Sequence, residues 1–268
     1  IGRNTLTNNG ENAIDLKATD HIVISENTMS GYKPTAYRAG AVSGSDGSAA
    51  VINDDGKGPL QSWWINNFIH SSRVGIRNQA AGGVHALVGN VFMNIKKTAL
   101  EAEPATTGSA AGVGYWQSAG AASVYLGNNT FFDVNGGIYL HNAATALVLN
   151  NLVSHLADHT RGWPVNINNA ASIQVGSNLY YDPQGAVRRD TNALSLTDLV
   201  GLDPLFVNAA AYDIRLSPVS PALDRANNAY AEAIANHYVT LYGAGIRTDI
   251  LGKPRPNGTS WDIGALEH

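Results

Sequence analysis

The chain has 268 residues, 14% of them charged, with 28 glycines and no cysteine; that length supports one large core or one long solenoid. A formal net charge of −4 leaves no basic footprint, which argues against nucleic acid as a partner. No apolar run reaches the roughly 18–20 residues of a membrane-spanning helix, and the absence of cysteine excludes disulfides and thiolate metal sites.

Taken in order, the chain repeats one phrase: a short apolar strand, an asparagine at a bend, and a second apolar step. Asn4 before Thr5-Leu6 is the tail of a first copy. Ile22-Val23-Ile24-Ser25-Glu26-Asn27-Thr28-Met29 and Trp64-Ile65-Asn66-Asn67-Phe68-Ile69 follow. Leu87-Val88-Gly89-Asn90-Val91-Phe92 and Gly127-Asn128-Asn129-Thr130-Phe131 continue the series, which ends with Val148-Leu149-Asn150-Asn151-Leu152-Val153 and Val175-Gly176-Ser177-Asn178-Leu179-Tyr180. The aligned asparagines Asn4, Asn27, Asn67, Asn90, Asn129, Asn151 and Asn178 are 23, 40, 23, 39, 22 and 27 residues apart. A period near 22–23 with loop-sized insertions means a solenoid. Strands at this spacing cannot pair as hairpins and must stack in parallel on the next coil, about 4.8 Å away. About seven coils make a cylinder roughly 30–35 Å long. The bend asparagines are expected inside it, each amide bonding backbone and the next asparagine.

A second strand precedes each bend: Ala13-Ile14-Asp15-Leu16-Lys17, Ala50-Val51-Ile52-Asn53, Val74-Gly75-Ile76-Arg77, Ala99-Leu100-Glu101-Ala102-Glu103, Gly137-Ile138-Tyr139-Leu140-His141 and Pro164-Val165-Asn166-Ile167-Asn168. This reading gives two recognisable strands per coil. Alternation sends Ile14, Leu16, Ile76, Leu100, Ala102, Ile138, Leu140, Val165 and Ile167 inward. The outward residues then form two columns. One holds Asp15, Val51, Gly75, Glu101, Tyr139 and Asn166; the other holds Lys17, Asn53, Arg77, Glu103, His141 and Asn168. Insertions rich in Gly, Ala, Ser and Thr fall between Tyr32 and Ser48 and between Pro104 and Ala121. Long loops on a rigid scaffold are where binding concentrates.

The pattern changes near residue 197, dividing the chain into coils over 1–196 and a C-terminal tail over 197–268, with helical composition at 229–241. A stack of parallel strands has an open last edge, and the tail is its natural cap. Ile1 enters in mid-coil, so the first coil is open to end-to-end self-association.

The repeats resemble right-handed parallel β-helix proteins of the pectate-lyase-like superfamily. The tail is similar to the C-terminal signature of bacterial secreted β-helix proteins, in Asp203-Pro204-Leu205-Phe206-Val207, Leu216-Ser217-Pro218-Val219-Ser220-Pro221-Ala222-Leu223-Asp224, Gly252-Lys253-Pro254-Arg255 and Asp262-Ile263-Gly264-Ala265-Leu266-Glu267. The resemblance implies an all-β right-handed parallel β-helix, a secreted or cell-surface location and action on acidic polysaccharides. The fold hosts lyases, hydrolases, epimerases and non-catalytic modules alike.

Uronate β-elimination needs a base for the C5 proton, a cation or arginine on the carboxylate, and an acid for the leaving O4. Arg77 suits the carboxylate, and Tyr139 and His141 suit acid and base. Lys17 is the alternative base, by similarity to basic residues on outward faces of the superfamily. Glu101, Glu103 and Asp54 offer oxygen ligands for Ca2+, and Asn53, Asn166, Asn168 and Trp116 are candidate substrate contacts. Glu103 is followed by Pro104-Ala105-Thr106 rather than a nearby lysine, a departure from the lyase families. Glycoside hydrolysis by Asp54, Glu101 or Glu103 and a non-catalytic glycan-binding or filament-forming module are the rival expectations. Plainer readings stand beside these: a surface ion pair of Arg77 with Glu103, pairing of Asp15 with Lys17 along one strand, and a turn at Asp54. His155 and His159 flank Asp158 in a connecting segment, a metal site being the lesser reading there. Trp63 and Trp64 are expected one in the core and one exposed.

Overall fold

The computed structural model describes residues 1–8, 12–17, 20–35, 45–53, 60–80, 82–95, 115–117, 121–157, 163–185, 187 and 195–268, with backbone alone at 34–35, 45–46, 115–117 and 121. Among these, three parallel sheets dominate. Sheet one stacks Thr5–Thr7, Thr28–Ser30, Phe68–His70, Val91–Ile95, Thr130–Val134, Leu152–Leu156, Leu179–Tyr181 and Leu199–Val200. Sheet two stacks Ile14–Lys17, Ser48–Asn53, Val74–Asn78, Tyr115–Gln117, Ile138–His141 and Val165–Asn168. Sheet three stacks Ile22–Ser25, Leu60–Ile65, Gly82–Val88, Ala121–Gly127, Thr145–Leu149 and Ser172–Gly176. The chain passes through sheets two, three and one in that order, round after round, which fits a parallel β-helix.

Each round therefore carries three strands, not the two read from the sequence. The asparagine phrase spans the corner between two of them: Leu60–Ile65 lies before Asn66-Asn67 in sheet three, and Phe68–His70 lies after it in sheet one. The corner residue before each ladder asparagine is left-handed, with φ between 51° and 70° at Glu26, Asn66, Gly89, Asn128, Asn150 and Ser177. That turn aims backbone polar groups inward, where the asparagine amide answers them.

The ladder is continuous. Asn4, Asn27, Asn67, Asn90, Asn129 and Asn151 each donate the backbone N–H and one Nδ2–H to Oδ1 of the next asparagine, at 2.8–3.1 Å. In Asn67, Asn90, Asn129, Asn151 and Asn178 the other Nδ2–H goes to a carbonyl of the preceding round, at 2.8–2.9 Å. Asn178 passes its two donors to Asp198 Oδ1 at 2.9 and 3.2 Å, so a carboxylate ends a column of aligned amides. Charge-assisted acceptance makes that end stronger than another amide would.

Inside, like stacks on like. Leu6, Met29, Ile69, Phe92, Phe131, Val153, Tyr180 and Val200 form one unbroken column in register. The Phe92 and Phe131 rings stack at 4.8 Å and 4°. The interior has a polar pocket too. Trp64 Nε1 donates to Ser62 Oγ at 3.1 Å, and Ser62 Oγ meets Nδ1 of fully buried His85 at 2.8 Å.

Strand patterning decides what covers the outside. The middle strands of sheets one and three are apolar on both faces, as in Trp63-Trp64-Ile65, Ala86-Leu87-Val88 and Phe131-Phe132, whereas Ile14–Lys17, Ile138–His141 and Val165–Asn168 of sheet two alternate apolar with polar. The tail packs on the doubly apolar sheets. Its helix Asn228–Tyr242, together with Ile246, covers Trp63, Ile65, Ala86 and Val88. Both tryptophans are thus buried, Trp64 inside the coil and Trp63 under Tyr238 at 5.1 Å, because the helix takes the place of solvent. The hairpin Phe206–Asn208/Asp213–Leu216 and residues 263–266 cover Val91, Phe132, Leu152 and Leu179. Leu199–Val200 extends sheet one beyond its last coil strand.

Outer corner asparagines moor the tail. Asn66 Nδ2 donates to Thr248 O at 3.0 Å and Asn128 Nδ2 to Asp262 O at 2.9 Å; Asn150 accepts from Asn227 N–H at 2.6 Å. In the doublets Asn66-Asn67, Asn128-Asn129 and Asn150-Asn151 the second residue builds the ladder and the first holds the tail. The tail signature is itself a buried network. Asp249 carboxylate oxygens accept the Leu251, Lys253 and Glu267 N–H groups. Arg255 lies over Trp261 at 5.5 Å, 3.6 Å from Glu267, and donates to Ala265 O. Burial pushes the Glu267 carboxyl up from its usual range, and Arg255 draws it back. Among the described residues no helix is long and apolar enough to cross a membrane.

Candidate functional site

Lys17 and Asn168 are exposed, and Asn53, Arg77, Tyr139, His141 and Asn166 are half-buried. Alternation along Ile138–His141 puts Tyr139 and His141 on one face, with Cα atoms about 6.6 Å apart by strand rise.

The register differs from the expected columns. Arg77 pairs with Val51, and Ile76 with Ala50, so Gly75 is not beside Val51 and Arg77 is not beside Asn53. The cause is a two-residue slip: Ser48–Asn53 begins earlier than the sequence reading had it. A slip of two preserves which residues face in, so alternation cannot detect it. It places Asn78 at the interior position facing Ile52, where its amide bonds Ala80 N–H at 3.2 Å.

The fourth place in this sheet also changes hands. Tyr115–Gln117, not 99–103, stands between Val74–Asn78 and Ile138–His141. Tyr115 pairs with Tyr139, Gln117 with His141, and Trp116 with both Asn78 and Leu140. Trp116 thereby shares a register position with two buried residues. Glu101, Glu103 and Asp54 lie outside the described residues, as do Asp158 and His159. Among the described residues no group of three or more His, Asp or Glu side chains is arranged to hold a metal ion.

The sheet brings some candidates together and separates others. Tyr139 and Asn166 are direct partners, as are His141 and Asn168, and Lys17 and Asn53. Arg77 lies two strands from Tyr139, about 10 Å along the stack by strand spacing. Lys17, the alternative base, lies two strands from Arg77, as Tyr139 does, and four strands from His141, about 19 Å by the same spacing. Lys17 Nζ sits 3.3 Å from Asp15.

A second titratable cluster surrounds His155, which lies in the strand Leu152–Leu156 of sheet one rather than in the connecting segment expected from the sequence. Asp133, His155 and Asp182 follow the strand register of sheet one on successive rounds, and Asp133 and His155 are left-handed at φ 54° and 56°. Tyr212 from the tail donates its phenol to Asp133 at 2.9 Å. Burial lowers the His155 pKa, opposed by Asp203, Asp133 and Asp182. With Phe206 and Tyr181 packed around His155, the cluster clamps tail to coil. Its members are far apart in sequence, and only the stacking unites them.

Comparison of the chain with protein-family models, with curated proteins and with solved structures gives no match.

Proposed function

We propose that the chain is an exported, carbohydrate-active β-helix of the pectate-lyase-like kind, right-handed and of about seven coils, that cleaves a uronate-containing polysaccharide by β-elimination. The observation that carries this reading is the shared outward face of Arg77, Tyr139 and His141 on sheet two, within about 10 Å along the stack. In this reading the glycan lies along sheet two. Arg77 forms a two-pronged bond to the uronate carboxylate and makes the C5 proton more acidic. His141 takes that proton, and the Tyr139 phenol protonates the leaving O4. Asn166 and Asn168, one strand further on, bind the neighbouring sugar. Ca2+ remains part of the proposal as an assay condition.

The test is ultraviolet absorbance of the unsaturated uronate end against alginate, pectate, chondroitin and ulvan, with and without Ca2+. Absorbance is expected to rise with one substrate, and Arg77→Ala should lower kcat about 10²–10³-fold. No rise with any substrate sinks the lyase. A second reading, a non-catalytic glycan-binding module, is favoured by the amides Asn53, Gln117, Asn166 and Asn168 along the same sheet. It predicts binding without new ends.

A further inference from the structure

The hairpin and the turn after the helix stand against sheet one at a second place. There Phe68, Val91 and Met93 floor a cleft of about 860 Å³, walled by residues 211–215 of the hairpin and 248–252 of the following turn. This cleft shares no lining residue with the sheet-two site.

Tyr212 is the unusual member. It is left-handed at φ 59°, a strained conformation for a bulky side chain, and caps the turn Ala209–Ala211. Its phenol is tied to Asp133 at 2.9 Å, and its ring meets the Phe132 ring at 5.7 Å and 84°. It is nevertheless 44% exposed. The ring is thus fixed in place with surface to spare, at the edge of a cavity. Beside it Arg215 Nε donates to Asp213 Oδ1 at 2.8 Å, while its Nη2 engages Oδ2. This planar fork stays largely exposed on the arginine side.

The charges in the cleft are already answered. Glu26 pairs with Arg3, Asp213 with Arg215, and Asp249 accepts three backbone N–H groups. The lining suits a neutral molecule with one apolar face and a rim of hydroxyls. We propose that this cleft binds a neutral pyranose unit of a glycan, its C–H face against Tyr212 and Phe68 and its hydroxyls on the Asp213–Arg215 fork. The proposal needs no catalysis on sheet two.

The test is saturation-transfer NMR on the intact chain with cello-, manno- and xylo-oligosaccharides. Tyr212→Gly removes the ring at a φ that glycine adopts freely, and Arg215→Ala opens the fork at the surface. One neutral oligosaccharide should bind, weakened about tenfold by each substitution, with Arg77→Ala binding as the unaltered chain does. No binding of any neutral oligosaccharide overturns the proposal, as does binding that only Arg77→Ala abolishes. Lyase activity can fail on every uronate substrate without changing either outcome.

Discussion

Replacing Asn129 by alanine probes the ladder in its fully buried middle. Its Oδ1 accepts the Asn90 backbone N–H and one Asn90 Nδ2–H, each at 3.0 Å. Its Nδ2 donates to Leu87 O at 2.9 Å and Asn151 Oδ1 at 3.0 Å. Alanine strands two buried donors on Asn90, at about 1–3 kcal/mol each. Asn151 Oδ1 keeps the residue-129 backbone N–H at 3.1 Å, so the acceptor side suffers less. The expected loss is therefore about 2–6 kcal/mol, with the lower end reached where a water fills the vacated amide site. Urea unfolding measures it, with the slope checked to confirm that the unfolded state is unchanged. Asn4→Ala, at the exposed end, should cost under about 1 kcal/mol, near the net worth of an ordinary hydrogen bond. A loss below about 1 kcal/mol for Asn129→Ala would refute the view that the amides satisfy the bend, since one orphaned donor alone should exceed it.

Three further outcomes are expected. Gly264 has φ 105°, and a Cβ there would lie 2.7 Å from Thr130 Oγ1, so Gly264→Ala should cost about 1–3 kcal/mol and speed proteolysis of the tail before the coils. His85 is buried neutral with its pKa lowered to about 4, against an ordinary 6.5. The unfolded chain therefore takes up this proton first, so stability is intact above about pH 6.5 and falls by about 3 kcal/mol as pH drops through 4; denaturation of His85→Leu should show a flatter pH dependence, and an equally steep one refutes the assignment. Tyr230 Oη is buried and meets no hydrogen-bond partner among the described residues, so Tyr230→Phe should be neutral or stabilising by up to about 2 kcal/mol in thermal unfolding.

How much was legible follows from which signals are local. The seven ladder asparagines could be read because one inward amide per corner is demanded at every turn, whatever the neighbouring strands are. Asp198 escaped notice because its corner lacks the phrase, although its oxygen fills the same place as an asparagine's. The doublets Asn66-Asn67, Asn128-Asn129 and Asn150-Asn151 were visible. The mooring role of their first members was not, since Thr248, Asp262 and Asn227 lie 182, 134 and 77 residues away. The neighbours of Arg77 were misread because inward and outward alternation repeats every two residues, and a slip of two leaves it intact.

The sequence by itself determined the repeat, the parallel stacking, the inward face of the alternating strands among the described residues, and the helix in the tail. Each of these rests on period, polarity or composition within a few residues. Tertiary structure alone decided the three-sheet cross-section, which strand fills the fourth place of sheet two, and the burial of both Trp63 and Trp64. It alone also brought Tyr212 to Asp133 across 79 residues. These depend on register between rounds and on where the returning tail lands. Such contacts are settled by packing between segments distant in the chain, and local pattern carries no record of them.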